Sequence, residues 1–302
     1  MPRPALLLFP LTALACKPPP PAPEGLQDSL TYLFRNFYAE DDVIGAGLTG
    51  FMDWVDTDGE ELLGKKADME NVGEFTLDYL TPGDVAMLPI VSDVNLDFAP
   101  GTVALSELTC DWKEAEAYLV RTDQDVVFGE FETYSRDFLT PRATYEAATA
   151  SEDFTPVGEP LADPYAAQPD LGELERSFLL TDNVASSTEV GVTLEFQLLL
   201  NLRHGIYEVQ GEEAGAFLIL TWMPQRAVSE GGDNSMEQSY SLELDVSRPG
   251  GKTLRLMASW LQIEGTFDHD DNVVKVVGVN KNLDSSIRLA DICAGEEELP
   301  AE

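Results

Sequence analysis

The chain has few basic residues. Eighteen lysines and arginines stand against 55 aspartates and glutamates, which gives a formal net charge of −37 over 302 residues. A surface this negative repels nucleic acids and anionic lipid headgroups, and no cluster of Lys or Arg offsets the repulsion. Nucleic-acid binding is therefore not expected. Two interpretations of the acidic surface stay open: strong solvation, including adaptation to salt, or attraction of cations and basic partners.

Long apolar runs and histidines are also scarce. No run reaches the roughly 18 apolar residues that a helix needs to cross a bilayer. The chain has two histidines, His204 and His269. It lacks the Gly-x-Ser-x-Gly nucleophile pattern, a Cys-x-x-Cys pair and the Gly-rich phosphate loops. We therefore predict no catalytic residue and no cofactor, and we expect His204 in a hairpin turn.

Two acidic segments are candidate cation sites. The run from Asp53 to Glu61 has the alternating oxygen ligands of a calcium loop. Placing Gly59 at the sixth position, however, puts Trp54 at the first and Lys65 at the twelfth, and neither supplies the required oxygen. The second segment, Asp268–Asn272, is also what a solvated loop between a strand and a helix needs. We therefore predict no metal ligands.

The N-terminus places a cysteine between an apolar stretch and a run of prolines. Arg3 precedes the apolar residues Ala5–Ala15, which have the length of a secretory signal but are too few to span a membrane. Cys16 follows at once. Lys17–Pro23 is a proline-rich segment that favours an extended, stiff spacer.

Residues 1–16 resemble the type II signal peptide and lipobox of bacterial lipoproteins, although Leu14 lies one place nearer to the cysteine than in the usual pattern. The resemblance implies that residues 1–15 are cleaved as a signal peptide and that Cys16 carries the lipid. It also implies sorting to the outer membrane, because the residue after the cysteine is Lys17 and not an aspartate. Residues 16–25 would then form the tether. An ordinary secreted protein and a chance apolar start are the alternatives.

The two remaining cysteines, Cys110 and Cys293, would lie in a compartment that permits disulfides. We predict that they pair, which would close most of the domain in one covalent loop. The alternative is two buried free thiols.

The remaining pattern predicts one α+β domain over residues 26–295 with an acidic tail at 296–302. Apolar residues at helical spacing predict helices within 26–56, and Val279, Leu283, Ile287 and Ala290 predict a packed C-terminal helix over 273–294. Residues 112–264 are predicted to be mainly antiparallel strands. The first predicted hairpin there pairs 114–119 with 126–133. Clean alternation over 190–200 and 240–246 predicts two long strands.

Consecutive antiparallel strands followed by a packed C-terminal helix resemble the START-like, or helix-grip, fold over about residues 112–294. In that family a curved sheet wraps a long helix and encloses an apolar cavity that holds lipids or other hydrophobic ligands. The four tryptophans, Trp54, Trp112, Trp222 and Trp260, are expected to be core anchors rather than ligand platforms. If the cavity that the resemblance implies is present, Trp222 and Trp260 on adjacent late strands are the ones we expect to line it. A β-sandwich or a lipocalin-like barrel is the alternative fold.

Together these features predict a membrane-anchored envelope lipoprotein. We expect it to bind a hydrophobic small molecule or an envelope partner without catalysing a reaction. A hydrolase with a carboxylate-based active site and a purely structural or interaction module are the alternatives. With 55 carboxylates in the chain, any nominated catalytic pair is arbitrary.

Overall fold

The computed structural model describes residues 21–85, 88, 96, 101–119, 126–128, 131–139, 176–187, 192–265 and 271–296. Within these residues the chain is a mixed α+β domain built on one curled, antiparallel, ten-stranded sheet that forms a half-barrel. The predicted α+β class is confirmed. The predicted leader, Cys16 and residues 297–302 lie outside the described residues.

Helices precede, interrupt and follow the strands. They are α1 (Gly25–Arg35), α2 (Asp41–Thr57), α3 (Trp112–Leu119) and α4 (Asp271–Cys293), with 3-10 turns at Gly59–Leu62 and Val72–Phe75. The strands are β1 (Thr76–Leu77), β2 (Gly101–Leu108), β3 (Val126–Phe128), β4 (Phe131–Leu139), β5 (Arg176–Ser187), β6 (Val192–Val209), β7 (Glu212–Trp222), β8 (Ala227–Val228), β9 (Asn234–Arg248) and β10 (Lys252–Gly265).

The strand order is β1-β2-β10-β9-β7-β6-β5-β4-β3, and β8 pairs with β9 beside this path. Two tight turns fix the register of the long strands. Gln210 and Gly211 join β6 to β7 with φ of 52° and 81°, the left-handed values that a two-residue hairpin turn of the primed type requires. Gly250 and Gly251, at 87° and 74°, return the chain from β9 to β10, where the sequence predicts a turn.

One face of the sheet packs against α1 and α2; we call it the α1–α2 face. Alternate strand residues on this face form a continuous apolar core with the helices, and all of the following are fully buried: Leu30, Phe34, Phe51, Leu218, Leu220, Leu242, Leu244, Leu256 and Ala258. Gly45 lets α2 approach β6 closely, because a Cβ there would stand 2.6 Å from the carbonyl oxygen of Glu208. The predicted helices within 26–56 are confirmed.

A buried arginine ties the α1–α2 connection to the sheet. The Arg203 side chain is 2% exposed on β6, and its Nη1 donates to the carbonyl oxygens of Phe37 at 2.7 Å and Ala39 at 2.6 Å. Its Nη2 donates to the Asp41 carboxylate at 2.5 Å. One guanidinium therefore donates hydrogen bonds both to carbonyl oxygens of the connection between the two helices and to the carboxylate of the first residue of α2.

The opposite face carries α3 and α4; we call it the α4 face. Helix α4 runs along β2, with Gly278 near Thr102 at one end and Leu289 packed against Leu108 at the other. It also comes close to β3, at the opposite end of the strand order, so the sheet curls round the helix. The predicted packed C-terminal helix is confirmed.

The buried stripe of α4 differs from the predicted one. Ile287 is 44% exposed, and Ser286 and Leu289 are buried in line with Val279 and Leu283. The predicted stripe places Val279, Leu283 and Ile287 four residues apart. Positions with that spacing shift progressively round a helix that has 3.6 residues per turn. The real contact line therefore includes a serine that apolar patterning could not show.

The predicted hairpin of 114–119 with 126–133 is wrong. Trp112–Leu119 is helical, because Asp111 caps it: its Oδ1 accepts from the backbone N–H of Lys113 at 2.8 Å and of Glu114 at 3.2 Å. The alternation of Ala and Glu fits a strand, but both residue types are also strong helix formers. The hairpin at this position pairs β3 with β4 instead.

The predicted disulfide is present. Cys110 lies two residues after the end of β2 and Cys293 is the last residue of α4, and the bond joins positions 183 residues apart. Leu108, Ala115 and Leu289 pack around it in a small separate core. The bond therefore fastens the end of α4 to the sheet and to the start of α3.

Replacing both cysteines, as Cys110→Ala with Cys293→Ala, should lower the free energy of unfolding by up to about 5 kcal/mol, the chain-entropy value for a loop of this length. Urea unfolding followed by circular dichroism measures the effect. A reductant should reproduce it in the parent protein and leave the double variant unchanged. Equal stability of the parent with and without reductant would contradict a structural role for the bond.

Candidate functional site

The centre of the α4 face contains side chains that stay partly exposed. Leu200, Ser241, Met257 and Ser259 are each of intermediate exposure and lie on β6, β9 and β10. Register places Ser241 opposite Ser259 and brings Leu200 next to them across Thr221 of β7. We call these four residues the trough.

The trough contrasts with the other side of the same strands. The neighbouring positions on the α1–α2 face are fully buried, with 0% exposure at Tyr240, Leu242, Ala258 and Trp260. At the trough, the α4 face is therefore less tightly covered than the opposite face.

Helix α4 borders the trough on one side. The Ser259 hydroxyl lies 3.1 Å from that of Thr102 on β2, and Asn282 Nδ2 of α4 donates to it at 3.4 Å. These contacts join the floor of the trough to the helix. They fix α4 along β2, the strand on which the helix mainly packs.

Helix α3 closes one end of the face. Trp112 packs in an apolar cluster with Leu202, Phe217 and Ile219, and its indole occupies the space where Gly215 would carry a Cβ. Beside this cluster His204 Nδ1 lies 2.5 Å from Glu116 Oε1. His204 is within β6 and not in a hairpin turn, which corrects the sequence prediction. The chain turns later, at Gln210 and Gly211.

A buried charge cluster lies between the trough and α3. Arg255 is 2% exposed and donates from Nε and Nη2 to Glu243 Oε1, both at 2.6 Å. Asp245 stands directly opposite Arg255 in the register, at 4.0 Å from Nε, and is fully buried. Two carboxyl groups and one guanidinium therefore share one buried site on the sheet.

Burial raises the pKa of Asp245 well above its usual range. Repulsion from the Glu243 carboxylate and a hydrogen bond with it act in the same direction, and the attraction of Arg255 does not offset them. The environment therefore favours the neutral acid at Asp245. Burial alone would lower the pKa of Arg255, but Glu243 and Asp245 outweigh it and the pKa is raised. A neutral acid beside one ion pair leaves the cluster without net charge.

The two tryptophans predicted to line a cavity lie on the α1–α2 face. Trp222 and Trp260 are both 0% exposed, and Trp260 packs edge-to-face against Phe34 of α1 at 5.9 Å between ring centroids. Trp260 Nε1 donates to the carbonyl oxygen of Asp78 at 2.9 Å. Both are therefore core residues, as the sequence predicts, and they do not line a space between the sheet and α4. The strand periodicity predicts that both tryptophans lie on the same face of the sheet. Which of the two faces this is depends on where the helices pack, and the strand pattern does not show it.

Where the acidic segments are described, their side chains contact other residues of the protein. Asp53 and Asp56 lie on α2, and their carboxylates accept from Gln210 Nε2 at 2.8 and 2.9 Å. Of the segment Asp268–Asn272, only the last two residues are described, at the start of α4. Over the described residues, no three His, Cys, Asp or Glu side chains group in a way that could hold a metal ion.

None of the described helices is both long enough and apolar enough to cross a membrane.

No protein-family model matches the chain, and no curated protein matches its sequence.

Sequence reasoning missed the trough and the charge cluster. Glu243 and Asp245 occupy the polar positions of a strand with clean alternation, which is the pattern of a solvated face. The available signal was Arg255, a charged residue amid the apolar run of β10. Its significance depends on the register that sets it opposite Asp245.

The variant Asp245→Asn should stabilise the protein at neutral pH. In the folded state the pKa of Asp245 is raised above the unfolded value of about 4, so the folded state binds the proton more tightly. The stability of the parent therefore falls as pH rises from about 4 towards the folded pKa, and Asn, which cannot ionise, avoids this loss.

Urea unfolding of parent and variant over a range of pH measures the difference. It should vanish near the unfolded pKa and grow with pH. Asp284→Asn, at a carboxylate 59% exposed, is the matched control and should show no such trend. An Asp245→Asn protein less stable than the parent throughout would contradict the assignment of a neutral acid.

Proposed function

We propose that this protein is a lipid-anchored protein of the bacterial cell envelope whose folded domain binds a largely apolar molecule in the trough without converting it. The observation that supports the proposal is the partial exposure of Leu200, Ser241, Met257 and Ser259 on strands whose opposite face is buried. A binding site for a small molecule is concave and mostly apolar, with a few polar groups that orient the ligand.

The arrangement of sheet and helix supports the same proposal. A curled antiparallel sheet that meets a long C-terminal helix near both ends of the strand order is what the START-like, helix-grip architecture requires. We propose that the domain belongs to this architecture. In it, the space between helix and sheet is where a ligand binds.

The chemistry of the trough limits the ligand. Leu200 and Met257 supply apolar contact, and the Ser241 hydroxyl can donate and accept one hydrogen bond. The Ser259 hydroxyl already contacts that of Thr102 and accepts from Asn282, so it can make one further hydrogen bond. The net charge of −37 disfavours an anionic ligand. An uncharged molecule with an apolar body and few polar atoms fits best.

Anchoring rests on the N-terminal sequence. We propose that residues 1–15 are removed, that Cys16 receives the acyl chains, and that Lys17–Pro23 spaces the domain from the outer membrane. The folded domain begins at α1, so the spacer is short. Several acyl chains on one residue provide the strong attachment that a single chain does not.

The variant Cys16→Ser should abolish membrane attachment of the full chain in a Gram-negative host. Lys17→Asp is the matched comparison: it keeps the acylated cysteine and should move the protein from the outer to the inner membrane. Fractionation on a density gradient, with detection of the protein by antibody, separates the three outcomes. A Cys16→Ser protein that stays in the outer-membrane fraction would contradict the proposed anchor.

The neutral lipophilic dye Nile red should bind the parent domain in a saturable manner, with a blue shift of its emission. Met257→Glu should weaken this binding about tenfold or more, because it places a charge on the apolar floor of the trough. Tyr79→Glu adds the same charge at a side chain 48% exposed and remote from the trough, and it should bind as the parent does. Equal weakening by both variants, or none by either, would place the dye elsewhere.

A further inference from the structure

Helix α3 packs on the end of the α4 face that carries the buried charge cluster of Glu243, Asp245 and Arg255. The helix contacts β7, β9 and β10. Asp245 stands opposite Phe217 of β7, and Phe217 packs with Trp112 of α3 in one apolar cluster. Helix α3 therefore lies over the strand positions that bury this carboxyl group.

Side chains at three positions hold α3 on this face. Trp112 lies in the apolar cluster on β6 and β7, and Ala115 lies in the small core beside the disulfide. Glu116 contacts His204 of β6, with 2.5 Å between Oε1 and Nδ1. This last contact is an ion pair only when the imidazole carries a proton. Because a charge-assisted contact is stronger than a neutral one, it weakens as pH rises and the histidine loses its proton.

The charge cluster responds to pH in the same direction. Asp245 is 0% exposed and lies 4.0 Å from Nε of Arg255, whose guanidinium already binds Glu243 at 2.6 Å. Ionisation of Asp245 would add a second negative charge to a site that has no contact with water, which is costly. Burial and the Glu243 carboxylate raise the pKa of Asp245, so the folded state is favoured at low pH and this contribution is lost as pH rises.

The strands of the cluster are poorly placed to relieve that charge by moving. Strand β9 pairs with β7 on one side and with β10 on the other at Asp245 itself, and β10 pairs with β2 in turn. Helix α3 is eight residues long and depends on the side-chain contacts of Trp112, Ala115 and Glu116. Displacement of α3 therefore lets water reach Asp245 with a small loss of structure, as in a local opening.

The other charged groups at this end of the face support the same sign. The charged and titratable side chains described on the elements packed here are Asp111, Lys113, Glu114 and Glu116 at α3, His204 on β6, Glu213 on β7, Glu243 and Asp245 on β9, Arg255 on β10, and Arg288 and Asp291 on α4. Arg255 keeps its charge, because Glu243 and Asp245 raise its pKa. Deprotonation of His204 and of Asp245 both make the sheet more negative beneath a helix that itself carries Glu114 and Glu116.

We propose that α3 is a pH-dependent cover, which lies on the sheet while Asp245 is neutral and His204 is protonated and leaves the sheet as both lose their protons. Its release uncovers the end of the α4 face that adjoins the trough. The disulfide at Cys110, directly before the capping residue Asp111, keeps the start of the helix attached. The helix therefore returns to its site when pH falls. This movement requires no ligand in the trough, and Nile red binding tests the trough separately.

Hydrogen–deuterium exchange of the parent domain, read by mass spectrometry between about pH 5 and 9, measures the release of α3. After correction for the intrinsic pH dependence of exchange, protection of the α3 amides should fall about tenfold or more over this range. The amides of α2 should keep their protection, because α2 packs on the opposite face of the sheet.

Variants separate the two titrating groups. Asp245→Asn should keep α3 protected to higher pH than in the parent. Combining it with His204→Gln, whose amide can donate a hydrogen bond but carries no charge, should abolish the pH dependence. Asp284→Asn, at a carboxylate 59% exposed, is the matched control and should behave as the parent does. If Asp245→Asn fails to fold, Asp245→Leu gives the same test with another side chain that cannot ionise.

Three results would each overturn the proposal. The first is α3 protection in the parent that does not change over this pH range. The second is an Asp245→Asn protein whose α3 responds to pH as the parent does. The third is loss of protection throughout the domain at the same pH as in α3, because that pattern reports global unfolding and not the release of one helix.

Discussion

The structure depends on one antiparallel sheet whose two faces are buried by different means. Along β9, Leu242 and Leu244 point to the α1–α2 face, and Glu243 and Asp245 point to the α4 face. The first face forms the main apolar core with α1 and α2, and Arg203, Gln238 and Gln262 are also buried on it. The second carries the charge cluster and the apolar residues around Trp112, and α3 and α4 pack on it. The alternation of β9 therefore decides which of its side chains face the proposed binding site.

Each face contains one buried arginine, and the two have different roles. Arg203 binds the carbonyl oxygens of the α1–α2 connection and so positions helices on the sheet. Arg255 binds side chains of its own sheet and holds Glu243 and Asp245 in a cluster of no net charge. Among the described residues, Arg203 and Arg255 are each 2% exposed, and each neutralises or satisfies groups that could not otherwise leave water.

Local patterning predicted much of this fold. Helical spacing located α1, α2 and α4, strict alternation located β6 and β9, and glycines located the β9–β10 turn. It failed where the same residues fit two kinds of secondary structure. At Trp112–Leu119, Ala and Glu alternate as in a strand, but Asp111 caps a helix. It also missed β2, whose residues are buried on both sides and show no alternation. The trough could not be predicted, because it depends on register across four strands and on which face the helices cover.

The disulfide connects the fold to the proposed location. Helix α4 borders the trough, and its last residue is bonded to Cys110 at the end of β2. The contacts beside the bond are few: Leu108, Ala115 and Leu289 form a small core of their own. In a reducing compartment this end of α4 would rely on that core alone, whereas outside the cytoplasm the bond holds the helix against the sheet. The proposed export by way of the Cys16 signal and a stable border of the trough are therefore consistent requirements. Under both proposals, the domain would be best suited to bind a ligand only after it has left the cytoplasm.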